Sequence, residues 1–370
     1  MPEVEVAAAI AQFGREAWDA VFPGEVEAYD YLSAIEASGL PGFRWRYLGV
    51  RETGRLVAAA PAFLTDYPLE TTLEGAPRRL LAAARRMAPD LLTLRLACLG
   101  SPCVETASAG FHPQVPAGER PRLAQRLLEG LAAEAQRARC TLLGLKDVAA
   151  PDQGLWDAAA RPLGFRPLPG QPVADLDIDF ADLDAYLARL SPGVRRDMRR
   201  KLRSLGAVRI EVRETLDGLL DRVSALYAET RARAEMQFEE LTPAYFSEVL
   251  RRMPGRAFAV LYFQGEDLLA VNLLLQDHGV LLDKFFCMEA ARGRPLNLYF
   301  LSWFTNVRLC LERGLTRYRS GQAAYETKLK LGSRLTRTSL YFRHRHPVVN
   351  GALRLAAPLF GADPTQRRAA

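Results

Sequence analysis

The sequence contains few of the residues that bind metals or form disulfides. Only 4 of its 370 residues are histidine and only 5 are cysteine. No two cysteines have the CxxC spacing of a zinc or redox site. We therefore expect no metal site, and we expect free, mostly buried thiols of the kind found in a reducing compartment.

Membrane-spanning and targeting patterns are missing as well. No stretch approaches the roughly 18 uninterrupted apolar residues of a transmembrane helix. Residues 1–5 lack the basic segment with which a signal peptide opens. The sequence therefore predicts a cytoplasmic protein without stable membrane insertion.

Several common catalytic signatures are also absent. No Gly-rich loop of the Walker or dinucleotide type follows a predicted strand, and no Gly-x-Ser-x-Gly motif occurs. No cysteine has a convincing histidine partner along the chain. These absences argue against the usual nucleotide-binding loops and against a serine or cysteine nucleophile.

The chain is long enough for two domains, and its charge is divided between two halves. Hydrophobic residues make up 49% and charged residues 25%, which is ordinary for a globular protein. Residues 1–180 contain 18 Lys and Arg against 23 Asp and Glu, a net charge of −5. Residues 181–370 contain 31 against 20, a net charge of +11. A basic half favours an anionic partner for that half.

The two halves repeat one order of elements: helices, a hairpin, a strand, a long helix, and then a strand, a helix and a strand. The predicted hairpins lie at 50–57 and 262–269, and Leu-Gly pairs follow the late helices at 163–164 and 331–332. The hairpins are offset by 212 residues and the Leu-Gly pairs by 168, which indicates an insertion of about forty residues in the first half around 66–92. We predict two units, 1–178 and 179–370.

Local patterns give further predictions for individual elements. Helices are predicted over 6–20 and 26–38, and a short helix over 77–87. The Pro-, Gly- and Ser-rich stretch 101–118 is predicted to be a loop long enough to have a functional role. One strand, 335–343, is predicted to end the ordered fold.

This order of elements resembles the GNAT acyltransferase fold. Leu163-Gly164-Phe165 looks like the Leu-Gly-Phe that often precedes the last strands of that fold. Two such units in tandem resemble the FemAB-like branch and the related CelD-like acetyltransferases. The Arg-rich stretch 190–201, the stretch 238–246 and the tail 320–332 carry this likeness. The fold class predicted is α/β (α+β), with two tandem GNAT-like units, each a mixed, mostly antiparallel sheet flanked by helices.

The resemblance implies an N-acyltransferase without a permanently bound cofactor. An amine of a small molecule or cell-envelope precursor would attack the carbonyl of an activated donor directly. The donor implied is acyl-CoA, the default for the fold, or aminoacyl-tRNA, which is nearly as compatible with the likeness. The first unit is expected on the acceptor side and to be non-catalytic, whereas the second is expected to bind the donor and carry the chemistry. The alternative is a non-catalytic tandem-GNAT binding module.

Two basic segments of the second half are candidates for binding the anionic donor. The loop 289–297 precedes a predicted helix, and phosphates bind well at such positions. The coenzyme A signature of the family is not intact there, so a solvated turn is the alternative. In the helix of stretch 190–201, dense like charges favour a polyanion such as coenzyme A, an acyl carrier protein or tRNA. A solvated helix tied to nearby aspartates is the alternative. The candidate donor-binding residues are Arg292, Arg294, Asn297, Arg195 and Arg199, together with Ser320 and Gln322 at a strand end.

Three residues are candidates for catalysis. Lys328 and Tyr325 are predicted on one face of a short helix, where a lysine could stabilise an oxyanion and a tyrosine could protonate the leaving group. Asp283 interrupts an apolar strand, which is costly unless the carboxylate is paired or faces a cleft, so it is a candidate general base. A surface lysine, a core tyrosine and a structural ion pair are the respective alternatives. Arg231 and Arg233 are further candidates, for an acceptor carboxylate.

Overall fold

Helices and strands alternate along both halves of the chain. The computed structural model describes residues 3–68, 93–106, 109–233 and 238–351. The helix predicted over 77–87 lies outside the described residues, as does nearly all of the predicted insertion around 66–92.

The first half opens with a strand and two helices and ends with two short strands. Its strands are β1 (Glu3–Ala7), β2 (Phe43–Glu52), β3 (Arg55–Pro68), β4 (Thr93–Leu99), β5 (Gly110–Phe111), β6 (Leu142–Ala149), β7 (Arg166–Pro169) and β8 (Val173–Asp177). Its described α-helices are α1 (Arg15–Val21), α2 (Tyr29–Ala37), α3 (Arg120–Arg137) and α4 (Gln153–Ala160). Pro121 lies in the first turn of α3, where its missing amide hydrogen costs no hydrogen bond.

The second half repeats this order after two additional helices. Its described α-helices are α5 (Leu183–Arg189), α6 (Pro192–Lys201), α7 (Leu220–Ala232), α8 (Pro243–Arg252), α9 (Ala290–Gly293), α10 (Leu298–Glu312) and α11 (Tyr325–Lys330). Its strands are β9 (Arg209–Arg213), β10 (Ala257–Gln264), β11 (Asp267–Asp277), β12 (Val280–Met288), β13 (Arg317–Arg319), β14 (Arg334–Thr336) and β15 (Thr338–His344). Thr242 caps α8 by accepting a hydrogen bond from the amide of Tyr245, as a threonine before Pro243 predicts.

The strands form two mixed sheets that are mostly antiparallel, as the sequence predicted. The first sheet has the order β1-β2-β3-β4-β6-β15-β7, with β5 added to β3. The second has the order β14-β8-β13-β12-β11-β10-β9. Each contains one parallel pair, β4 with β6 in the first sheet and β12 with β13 in the second.

The two sheets exchange one strand each. Strand β8, from the first half, pairs with β13 and β14 inside the second sheet. Strand β15, from the second half, pairs with β6 and β7 inside the first sheet. The predicted boundary between residues 178 and 179 therefore divides the chain into two segments, but each segment contributes one strand to the sheet that is mostly built by the other.

Three large hydrophobic cores lie against the two sheets, one between them and one on each outer face. Helices α1, α2, α7 and α8 pack between the sheets, in a core to which both halves contribute. On the outer faces, α3 and α4 cover the first sheet, and α5, α6 and α10 cover the second. In the shared core, the hydroxyl groups of Tyr31 and Tyr245 lie 2.7 Å apart, which links α2 to α8 across the two halves.

Two local predictions were wrong. Residues 3–7 form β1, where a helix was predicted from residue 6, because the alternation of Val4 and Val6 with glutamates suits a strand edge against β2. The helix α1 begins only at Arg15. The predicted strand 335–343 is two strands, since the chain leaves the second sheet after Thr336 and enters the first sheet at Thr338.

Candidate active site

The two central parallel strands of the second sheet separate after a short contact. Strand β12 pairs with β13 only over residues 280–282, opposite 317–319. Strand β13 then ends, while β12 continues to Met288. An opening therefore forms between them that begins at Asp283.

Asp283 is at the mouth of this opening, inside a network of buried amides and a hydroxyl. Its Oδ2 accepts hydrogen bonds from Tyr318 Oη at 2.8 Å, from Asn272 Nδ2 at 3.3 Å and from Asn306 Nδ2 at 3.3 Å. Burial raises the pKa of Asp283, and the hydrogen bond from Tyr318 opposes that shift. The carboxylate therefore connects β11, α10 and β13.

Lys328 lies behind the end of β13 and is 4% exposed. Its ammonium group donates hydrogen bonds to the carbonyl oxygens of Ser320 and Gly321, the latter at 3.0 Å. Burial lowers the pKa of Lys328 to about 8, against the opposing charges of Asp283 and Glu105. The lysine thus fixes the turn that follows β13, and one of its three N–H donors has no hydrogen bond within the described residues.

Three other predicted site residues contact the exchanged strand and the residues before it. Tyr325 Oη donates to the carbonyl of Pro172 at 2.9 Å, and burial raises its pKa. Gln322 Nε2 donates to the carbonyl of Gln171 at 2.9 Å. Ser320 Oγ donates to the carbonyl of Ala174 at 3.3 Å. These side chains hold the first half against the end of β13.

Lys284, the neighbour of Asp283 on β12, points to the other face of the sheet. Its ammonium group binds the carboxylate of Glu27 and donates to the carbonyl of Cys103 at 2.8 Å. The side chain of Lys284 is 3% exposed and lies over the ring of Tyr31, 5.2 Å from its centroid. The second sheet is therefore joined to the loop 101–106 of the first half.

Glu105, in that loop, is the site residue that sequence reasoning missed. A Cβ atom on Gly321 would lie 2.8 Å from Glu105 Oε1, so the carboxylate packs directly against this glycine, whose φ of 79° favours glycine in any case. Burial raises the pKa of Glu105 to about 7, although the positive charge of Lys284 acts in the opposite direction and favours the carboxylate. The Pro-, Gly- and Ser-rich composition of 101–118 was a signal for the loop but not for this residue.

The donor-side candidates gather at the beginning of α10. Asn297 has a left-handed backbone, with a φ of 57°, and its Nδ2 donates to Ser204 Oγ at 3.1 Å. Arg294 is exposed. Arg292 is bound to Asp267 at 2.9 Å and to Gln264 at 3.3 Å, so it is directed to the hairpin of β10 and β11.

Helix α6 presents arginines next to this position, because the chain after α6 packs against α10 through Ser204. Arg195 is half-buried and donates to the carbonyl of Ala188 at 3.3 Å, while Arg199 is exposed. Within the described part of the chain, Arg196, Arg199 and Arg203 have no hydrogen bond or ion pair. These three side chains form an exposed basic stripe, which we call the arginine stripe.

The predicted site residues thus fall into two groups. Lys328, Tyr325, Asp283, Ser320 and Gln322 surround the opening between β12 and β13. Asn297 and Arg294 lie at the start of α10 beside the arginines of α6, whereas Arg292 is directed to the hairpin of β10 and β11. Nine residues of α10 separate Asn297 from Asn306, which contacts Asp283, so the groups are about 13 Å apart along the helix.

The arginines proposed for an acceptor carboxylate are already paired. Arg231 lies 3.3 Å from Glu240, and Arg233 binds Glu229 and donates to the carbonyl of Met288 at 2.9 Å. Both arginines therefore join α7 to neighbouring segments.

Metal sites, disulfides and membrane-spanning helices have structural requirements that the described residues do not meet. No group of three or more His, Cys, Asp or Glu side chains is placed there to hold a metal ion. All five cysteines are free and buried. None of the described helices combines the length and apolar character needed to cross a bilayer.

Comparison with known proteins agrees with this geometry. Residues 193–329 match the family model of the acetyltransferase (GNAT) domain. Curated relatives from two strains of Mycobacterium tuberculosis, named as 8-amino-7-oxononanoate synthase 2, are 24% identical over 341 residues. The match covers 88% of this chain, which spans only 43% of the length of those relatives.

Solved structures share the fold over nearly the whole chain. FemX has a TM-score of 0.58 at 13% identity, covering 95% of this chain and 100% of that one. A tandem GNAT protein from the clavulanic acid pathway has a TM-score of 0.56 at 15% identity, covering 94% and 99%. L-PGS from Bacillus licheniformis has a TM-score of 0.52 at 12% identity, covering 89% and 91%. The chain therefore has the tandem GNAT fold that the sequence predicted, and residues 193–329 of its second half match the acetyltransferase (GNAT) domain.

Proposed function

We propose that the chain is an N-acyltransferase that passes an acyl or aminoacyl group from an anionic donor to an amine by direct attack. The observation that carries this proposal is the opening between β12 and β13, lined by buried polar groups and joined by α10 to a basic surface. The matched GNAT domain supports the reaction class. The second unit, 179–370, holds the donor, and the first unit, 1–178, shapes the acceptor side.

The polar groups around the opening suit the transfer. An amine that attacks a thioester or ester carbonyl places negative charge on the carbonyl oxygen, and hydrogen-bond donors at that oxygen lower the barrier. Lys328 has one N–H donor beyond the two that bind Ser320 and Gly321. We assign this donor to the oxyanion. Tyr325 is the candidate for protonating the leaving group.

Two donor classes fit the basic surface, and separate observations favour each. The tandem GNAT relative is described as a structure without AcCoA, which names AcCoA as a molecule considered for that protein and supports an acyl-CoA donor here. The arginine stripe extends over the eight residues 196–203, about 10 Å at the rise of a helix, which supports a longer polyanion such as aminoacyl-tRNA. The acceptor is an amine of a small molecule or cell-envelope precursor.

Thermal unfolding with a panel of donors tests the proposal. Acetyl-CoA, longer acyl-CoAs and charged tRNA are added separately, with free CoA and uncharged tRNA as controls. A donor present at 100 times its Kd stabilises the folded protein by about 2.7 kcal/mol and raises its Tm. Donors that bind are then offered primary amines, and free thiol or uncharged tRNA is measured. Specific binding without transfer would favour a non-catalytic module, and no binding at all would overturn the proposal.

A further inference from the structure

We propose that Glu105, from the first half of the chain, is the general base of the site in the second half. This inference rests on the proposed function, because a base is needed only if an amine attacks there. It also changes the expected division of labour, since the first unit was expected to be non-catalytic. The evidence is the way the loop 101–106 is held at the opening between β12 and β13.

The loop is fixed by hydrogen bonds from three side chains to two adjacent carbonyls. Tyr31 Oη donates to the carbonyl of Cys103 at 2.9 Å, and Lys284 donates to the same oxygen at 2.8 Å. Lys146 donates to the carbonyl of Val104 at 2.5 Å. These donors come from α2, β12 and β6, so both sheets determine the position of the next residue, Glu105.

The carboxylate is thereby placed against the turn at the end of β13. Its Oε1 lies 2.8 Å from the position that a Cβ atom on Gly321 would take. The same position is 3.7 Å from the carbonyl oxygen of Asp283, where β12 and β13 separate. Glu105 is half-buried and therefore still reachable from solvent. It has no hydrogen bond within the described residues, so its lone pairs are available to a proton donor.

The charges that face Glu105 bring its pKa into the working range of a base. Burial and the neighbouring Glu27 favour the protonated form, whereas Lys284, Arg319 and Lys328 favour the carboxylate. The balance raises the pKa of Glu105 to about 7. A general base is most effective when its pKa is near the pH at which it works.

Asp283 is less suited to the same role. Its Oδ2 already accepts three hydrogen bonds, from Tyr318, Asn272 and Asn306. A proton taken up at that oxygen would conflict with these donors, which connect three elements of the core. Asp283 is therefore a positioning residue that ties β12 to β11, β13 and α10 at the opening.

The proton balance of the step is simple. The neutral amine attacks the donor carbonyl, the C–N bond forms, and the amine proton passes to the carboxylate of Glu105. The C–S bond of a thioester or the C–O bond of an aminoacyl ester then breaks, and its electron pair leaves with the sulfur or oxygen. Tyr325 protonates that leaving atom and recovers a proton from Glu105, whose charge acts on Tyr325, so both side chains return to their starting states.

The pH dependence of transfer by Glu105→Gln tests the role of this residue. The full-length variant is assayed with acetyl-CoA, or with alanyl-tRNA if only that donor binds the wild-type protein, and with ethanolamine or glucosamine as acceptor. The wild-type rate should rise with pH through about 7 as the carboxylate forms. Glu105→Gln should lower kcat by about 100-fold or more and abolish this rise, since general-base catalysis contributes that much. Donor binding, measured by the Tm shift, should not change.

Glu239→Gln is the matched control, because Glu239 is another half-buried glutamate of this region whose pKa is raised by burial. It should keep the wild-type pH profile. A Glu105→Gln variant that keeps both the rate and the pH profile of the wild-type protein would overturn the inference while leaving the proposed function intact. The same holds if Asp283→Asn, and not Glu105→Gln, loses the rise of the transfer rate with pH. Absence of donor binding by the wild-type protein would overturn the proposed function, and the role of Glu105 with it.

Discussion

At the scale of single residues, lysine is rare in this chain, yet several of its lysines hold the backbone around the site. Three of the five lysines lie around the opening, and each donates to a backbone carbonyl: Lys146 to Val104, Lys284 to Cys103, and Lys328 to Ser320 and Gly321. A buried ammonium group is stable only where such acceptors or opposite charges surround it. These lysines therefore fix the loops on both sides of the opening.

Replacing Lys328 by methionine should destabilise the fold as well as slow transfer. The carbonyls of Ser320 and Gly321 would lose their donor, at a cost of about 1–3 kcal/mol for each buried group left unsatisfied. Lys330→Met is the control, since Lys330 is exposed and, among the described residues, pairs only with Glu326. Its effect should remain within about 0.5 kcal/mol in urea unfolding. Equal stability of the two variants would contradict the packing role of Lys328.

The same lysine predicts a dependence of stability on pH. Its pKa is about 8 in the folded protein, below the ordinary value of 10.5. The unfolded chain therefore binds more protons between these values, and the free energy of unfolding should increase as pH rises from about 8 to 10.5. Neutral Lys328 keeps two N–H groups for its two carbonyls. Lys328→Met should lack this increase, and parallel pH curves for both proteins would contradict the prediction.

At the scale of elements, the order of helices and strands was readable in the sequence, but several partnerships were not. The turns of both hairpins lie within the predicted segments 50–57 and 262–269, and each half contains the long helix predicted for it. Residues 6 and 7 were predicted to begin a helix, because the five residues 3–7 carry too little periodic signal to decide between a strand and a helix. The contact of α6 with α10 depends on side chains far apart in sequence.

The arginine stripe gives the prediction that belongs to this scale. Changing Arg196, Arg199 and Arg203 together to glutamate should weaken tRNA binding by at least tenfold and flatten its salt dependence, because fewer counterions are released. Binding of acetyl-CoA, which has fewer phosphates, should change much less. Arg251→Glu on α8 is the control, since Arg251 is paired with Glu248. Fluorescence anisotropy with labelled tRNA at two salt concentrations measures both effects, and an unchanged salt slope would exclude the stripe from the contact.

At the scale of the whole molecule, the exchange of β8 and β15 makes each sheet depend on the other half. A segment of residues 1–178 would lack β15 and leave β6 and β7 without their shared partner. A segment of residues 179–370 would lack β8 and leave β13 and β14 without theirs. Unpaired strands inside a sheet expose backbone groups and promote aggregation.

We therefore expect the two segments to fold only together. Expressed separately, each should be insoluble or lack a cooperative unfolding transition, whereas coexpression should yield a soluble complex. Circular dichroism during thermal unfolding measures the transition, and the intact chain is the control. Two segments that each unfold cooperatively alone would show that the exchanged strands are dispensable.

The sequence by itself determined the repeat of two units, the type of sheet in each, the likeness to tandem GNAT proteins and the basic character of the second half. These properties depend on local periodicity, turn residues and composition, which are set by neighbours along the chain. Only the tertiary structure decided that β8 and β15 change sheets and that Glu105 lies against Gly321, a residue 216 positions away. Such contacts depend on how complete layers pack, and no short segment of the sequence contains that information.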